Sequence, residues 1–208
     1  MLDVEKKVRK AGFSLIIGID EAGRGPLAGP VVAAAVALKK HSPPFQVRDS
    51  KKLSAAQREK AFHKIYEYAH VGVGIMSEGV IDEVNILQAT FLAMQMAVIQ
   101  LLSGLPGSRK TKKNFEKRIC LLIDGNQFQS DLPYCFKTIV KGDEQVLSIA
   151  CASIIAKVTR DRILGAYHRV FPEYGFNQHK GYPTRRHKQA IRRWGLSSIH
   201  RKTFHCQL

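Results

Sequence analysis

Four acidic residues stand at or just beyond the ends of apolar runs. Asp20 and Glu21 close SLIIGI, Asp124 closes RICLLI, and Asp143 follows FKTIV after a short turn. In open α/β sheets, sites collect at strand ends, so these carboxylates converge if the runs are neighbouring strands. Converging carboxylates repel one another and lose hydration; either some hold protons or a divalent cation neutralises them. Oxygen donors without paired His or nearby Cys suit magnesium or manganese rather than zinc. Two such ions about 3.5–4 Å apart can activate water and stabilise the leaving oxygen at a phosphodiester. The acids run straight into Gly23-Arg24-Gly25-Pro26. Glycines leave backbone open to close approach. Amides and carbonyls there can read a ribose 2′-hydroxyl, which both donates and accepts, and Arg24 can add a phosphate contact.

Rival patterns fit less well. Gly23, Gly25 and Ala28 satisfy a dinucleotide fingerprint, with Asp49 downstream as its acid. That motif must open a helix, whereas Gly29–Pro30 and the strand-like VVAAAVAL follow here. A Walker loop lacks its G-K-[ST] ending. His200 and His205 have no cysteine pair to make a zinc site and read as part of a basic tail. Asp82–Glu83 precede NILQATF and read as acids favouring a helix N-terminus, without chemistry. Asp161, among basic residues, reads as one half of a helix-surface ion pair.

The elements that must position these residues are legible in outline. SLIIGI (14–19), VVAAAVAL (31–38), VGVGIM (71–76), RICLLID (118–124) and FKTIV (136–140) read as strands. Ser54 with Gln57 forms a capping-box signature for a helix over about 55–69, and Asn85 with Gln88 for a long helix after it. Residues 145–169 read as a helix rich in small side chains on one side, suited to close packing on a sheet. A loop, FPEYGFNQHKGYPT, leads to a basic helix near 184–194. This order predicts an α/β domain with a mixed central sheet. Residues 103–117 read as a flexible basic loop, solvated or in contact with phosphates.

The chain has 208 residues, one domain's length, and 45% hydrophobic residues, enough for a core. Its 33 Lys plus Arg against 17 Asp plus Glu give a net charge of +16, which favours a polyanionic partner. Cys120, Cys135 and Cys151 lie in apolar segments and read as small buried hydrophobes; with Cys206 they form no disulfide framework, which suits a reducing cytosol. MLDVEKKVRK with FSLIIGI only loosely mimics a secretory signal, since acids dilute the basic part and follow the apolar part. No run reads as long enough to span a bilayer.

GIDEAGRGPLAGPVVAAAV resembles the opening of bacterial ribonuclease HII. DSKKLS, DEVNILQAT, LIDGN, VKGDE, ASIIAKVTRDR, YGFNQHKGYPT and HRKTF continue the likeness in order over most of the chain. The resemblance implies an RNase H-like fold, a mixed central β-sheet flanked by helices. It implies a single catalytic domain over 1–208, with a C-terminal helical, substrate-contacting extension from about 165 to 208. It implies a cytoplasmic, monomeric endonuclease, with no membrane association, that cuts the RNA strand of RNA–DNA hybrids and DNA containing single ribonucleotides. Manganese or magnesium is required, and 3′-hydroxyl and 5′-phosphate ends result. By motif, Asp20, Glu21, Asp124 and Asp143 become the metal-binding catalytic carboxylates. Gly23, Arg24 and Gly25 become the loop that recognises the ribonucleotide, Tyr182 the aromatic that packs on the following deoxyribose, and Ser50 and Lys51 phosphate contacts. The basic 103–117 loop is longer than is usual in the family. Ribonuclease HIII, a related class, normally carries an extra N-terminal substrate-binding domain, for which no room is expected before Ser14. A basic nucleic-acid-binding module without catalysis is the reading from another class; the presence of all four carboxylates argues against it.

Overall fold

The computed structural model describes residues 1–39, 53–105 and 116–204. Among these residues, five strands form one sheet: β1 (Leu15–Ala22), β2 (Val31–Leu38), β3 (Ala69–Met76), β4 (Ile119–Asp124) and β5 (Cys135–Ile139), in the order β3-β2-β1-β4-β5. β1–β2 and β2–β3 pair antiparallel, β1–β4 and β4–β5 parallel. The mixed sheet expected from the sequence is therefore present. β1, β2 and β4 are nearly continuous apolar runs because helices cover both of their faces.

Alternation along the strands divides the core. Ile17, Ile19, Ala33, Ala35, Leu121 and Ile123 face the long helix α3 (Glu78–Ser103), reached after α1 (Asp3–Lys10) and α2 (Ala55–Tyr68). The opposite face carries Val32, Ala34 and Val36, with Ile16, Cys120 and Leu122 towards the other edge. It meets the short α4 (Gly142–Gln145) and the long α5 (Leu147–Val170). Small side chains let α5 approach closely: a Cβ on Gly18 would lie 2.3 Å from the Ser148 carbonyl carbon. The 3₁₀ turn Pro172–Tyr174, α6 (Phe176–His179) and α7 (Arg185–Trp194) complete the chain. Tyr174, Phe176, Ala190, Ile191 and Ile199 form a smaller core with Leu27 and Ala28 of the loop after β1.

Local signals explain the helix boundaries. Ser54 caps α2 through the Gln57 amide while the Gln57 side chain returns to the Ser54 amide, as the sequence predicts. Asn85 also caps, its Oδ1 accepting from the Leu87 and Gln88 amides at 2.9 and 3.1 Å. It does so inside α3, at φ 69°, as a kink between two helical segments; Ser77 caps the first segment. Asp82–Glu83 therefore lie within the helix, not ahead of it. α5 begins at Val146 without a side-chain cap. Glu5 of α1 replaces one, accepting from the Ser148 amide at 3.1 Å, and burial raises its pKa.

Two further expectations are corrected. α3 is long and apolar enough by composition to cross a bilayer. It lies instead on the sheet, burying Ala93, Met94, Ala97, Val98 and Leu101. Cys120 and Cys151 are buried, but Cys135 is exposed because it begins the edge strand β5. Ser50, Lys51, Asp49, His205, Cys206 and most of the 103–117 loop lie outside the described residues.

Candidate active site

Register builds the acidic centre. Ile19 of β1 pairs with Ile123 of β4, so the next residues, Asp20 and Asp124, stand side by side on adjacent parallel strands. Both continue the even-numbered face that meets α5. Glu21 follows on the alternate face, beside Thr90, Phe91 and Met94 of α3. Asp20 is 6% exposed. It accepts from the Glu21 amide at 2.7 Å and is hydrogen-bonded by Ser153 of α5.

Burial, then the charges of Glu21 and Asp124, hold the Asp20 carboxyl well above its ordinary pKa. Burial also raises Glu21; Asp124 adds to that, while Arg24, 3.4 Å away, opposes it. Asp124 accepts from the Gly142 amide at 2.6 Å. That bond ties β4 to the turn bearing Asp143, which is 2% exposed. The structure thus brings Asp20, Glu21 and Asp124 into one electrostatically linked group and buries Asp143 one residue beyond the amide that holds Asp124. Among the described residues, no three His, Cys, Asp or Glu side chains are drawn into a closed ligand cage. The donors are nonetheless all oxygens, and their burial and mutual repulsion are what a hard divalent cation would relieve.

Beside these acids lies a cavity of about 310 Å³ lined by Glu21, Gly23, Arg24, Gly25, Arg58, Ser153, Lys157 and Tyr182. A narrower cleft of about 110 Å³, lined by Asp124, Gly125, Asn126 and the α3 residues named above, shares Glu21 and Arg24 with it. Arg24 pairs with Glu21 here, and Lys157 pairs with Asp161 at 2.7 Å, the ion pair expected of Asp161. Gly23 has φ +102°, and a Cβ there would fall 2.1 Å from Arg160 Nε. Tyr182 is 43% exposed, its ring opposite Gly25.

Sequence reasoning missed what holds Tyr182. The Tyr182 carbonyl only accepts, so His187 Nδ1, 2.9 Å away, carries the proton. His187 Nε2 must then accept from His200 Nε2 at 3.0 Å, leaving His200 Nδ1 to accept from the Ser197 amide at 2.9 Å. His179 stacks on His187 with ring centroids 4.4 Å apart and accepts from the Gly181 amide. His187 and His200 are driven down to a pKa of about 4, chiefly by burial. His200 is therefore neither a zinc ligand nor part of a basic tail. The missed cavity residues Arg58, Ser153 and Lys157 had one faint signal: Ser153 and Lys157 are four apart, on one face of α5.

The family model for ribonuclease HII matches residues 17–207. The chain is 49% identical over 197 residues to a ribonuclease HII of Chlorobaculum parvum, covering 92% of this chain and 90% of that one. It is 46% identical over 205 residues to that of Enterococcus faecalis, covering 98% and 74%. Among solved structures it resembles the ribonuclease H2 of Pyrococcus horikoshii, with a TM-score of 0.69, 27% identity and coverage of 91% and 93%. It also shares the fold of the ribonuclease HII in a PCNA complex from Archaeoglobus fulgidus, with a TM-score of 0.71, 24% identity and coverage of 93% and 96%.

Proposed function

The chain belongs to the ribonuclease HII family, and from that premise we propose that it cuts 5′ of single ribonucleotides embedded in duplex DNA as well as the RNA strand of RNA–DNA hybrids. It is a ribonuclease H. Hydrolysis leaves a 3′-hydroxyl and a 5′-phosphate. One observation carries this reading: the linked carboxylates adjoin a cavity walled by Gly23, Arg24, Gly25 and Tyr182.

Asp20, Glu21, Asp124 and Asp143 would hold manganese or magnesium. When bound, such an ion supplies charge neutralisation and activation of water at the phosphodiester. The chain's own residues do the rest. Ser153 and the Glu21 amide fix Asp20, and Gly142 fixes Asp124. Open backbone at Gly23–Gly25 reads the 2′-hydroxyl, and the Tyr182 ring packs on the next sugar. Arg58 and Lys157 add positive charge to the cavity wall, and Ser50 and Lys51 are assigned to phosphates. Four exposed arginines of α7, Arg185, Arg186, Arg192 and Arg193, extend a basic surface beyond Tyr182, in keeping with a substrate-contacting segment from about 165 to 208 in a single catalytic domain. We assign the protein to the cytoplasm as a monomer that does not engage a membrane.

The test is a labelled duplex with one internal ribonucleotide, incubated with and without manganese. Metal-dependent cleavage 5′ of the ribonucleotide, giving a product with a free 3′-hydroxyl, is expected. Binding without cleavage under both conditions would instead make the chain a nucleic-acid-binding module.

A further inference from the structure

Three motif segments contain residues with no part in the chemistry above: Asp82 of DEVN, Arg160 of VTRDR and Arg201 of HRKTF. The structure gives them one task. Arg201 is 2% exposed and uses all five N–H groups on carbonyls of the loop after β1. Nε donates to Gly29 at 3.0 Å, Nη1 to Arg24 and Pro26 at 3.0 and 2.8 Å, and Nη2 to Gly23 and Gly29 at 2.6 and 2.8 Å. Arg160, 1% exposed, donates to Pro30 at 2.9 Å, to Ala28 at 3.0 Å and to Lys180 at 2.9 Å. Its last bond joins the loop to the segment bearing Tyr182, as does the bond from the Leu27 amide to the Gly181 carbonyl at 2.8 Å.

We propose that Arg160 and Arg201 are positioning residues that preset the Gly23–Gly25 loop and Tyr182 as one ribonucleotide-reading unit. A trans peptide directs its N–H opposite its C=O, and no peptide among the described residues is cis. With the Gly23 and Arg24 carbonyls drawn onto Arg201, the Arg24 and Gly25 amides are turned away from it, and they make no hydrogen bond among the described residues. A guanidinium is required because only a planar fork of five donors meets several carbonyls at once; a lysine keeps the charge and loses the pattern. Asp82 clasps this arrangement from the surface, accepting from the Lys202 amide, the Thr203 amide and the Thr203 hydroxyl at 2.9, 3.0 and 2.7 Å. The inference rests on the reading of residues 23–25 as the recognition loop.

The test compares binding of an all-DNA duplex with one holding a single ribonucleotide, by fluorescence anisotropy, in an Asp124→Asn background that keeps the strand intact. The background protein is expected to prefer the ribonucleotide duplex. Arg201→Lys should cut that preference by about tenfold through weaker binding of the ribonucleotide duplex alone, with all-DNA affinity within about twofold, the sign of a lost specific contact rather than lost phosphate contacts. Retained preference, or equal loss on both duplexes, overturns the proposal. If circular dichroism shows Arg201→Lys unfolded, the surface variant Asp82→Ala decides: about threefold loss of preference is expected, and none overturns it. Absence of preference in the background protein itself refutes the loop assignment, and the inference falls with it.

Discussion

Acid should loosen this protein through the pair behind Tyr182. His187 and His200 are neutral, and each already donates one ring nitrogen and accepts at the other. A proton on either sets two donors face to face. Their folded pKa of about 4 lies below the ordinary 6.5, so between those values the unfolded chain binds more protons. The stability they confer is whole above about pH 6.5 and drains as pH falls towards 4. From about pH 7.5 to about pH 5 the loss is about 2 kcal/mol per histidine, or about 4 kcal/mol for the pair treated as independent. That is a large share of the roughly 5–15 kcal/mol typical of a domain. The raised carboxyls of Asp20 and Glu21 act oppositely, because the folded state takes up their protons first. Both effects separate by comparing urea unfolding of the wild type with His187→Gln/His200→Gln across this range. The wild type's advantage should shrink by about 4 kcal/mol at the acid end. An advantage that does not change with pH would refute the neutral, hydrogen-bonded assignment.

Four other outcomes are expected. Asp124→Asn should abolish cleavage while leaving duplex affinity largely intact; near-normal activity with manganese would remove Asp124 from the site. Gly25→Ala, whose Cβ would meet only Tyr182 Cε1 at 3.8 Å, should keep stability within about 1 kcal/mol and impair ribonucleotide recognition. Gly23→Ala should also melt early, because its Cβ strikes Arg160 and its backbone strain alone costs about 1–2 kcal/mol; paired melting and binding curves check both. Tyr182→Ala should slow cutting at a lone ribonucleotide with little loss of stability, since the ring is largely outside the core; unchanged rates would end the packing role.

Sequence alone determined whatever depends on local pattern. Continuous apolar runs marked β1, β2 and β4 because burial on both faces leaves no polar alternation. Ser54 and Asn85 announced their caps because capping is a contact between residues two or three apart. The strand-end acids were legible for the same reason, as was the open backbone of Gly23-Arg24-Gly25. What tertiary structure alone decided is where polar residues go when their partners are remote. Nothing local to Arg160 or Arg201 announces burial, yet both are buried against carbonyls of the loop after β1, some 130 to 178 residues away. His200 read as part of a basic tail until the fold set it against His187, 13 residues earlier, across a hydrogen bond. Asp82, an ordinary helix acid in sequence, acquired a role only when Lys202 and Thr203 arrived beside it. Burying a polar group is costly unless it is hydrogen-bonded, and the fold alone determines which partners come within reach.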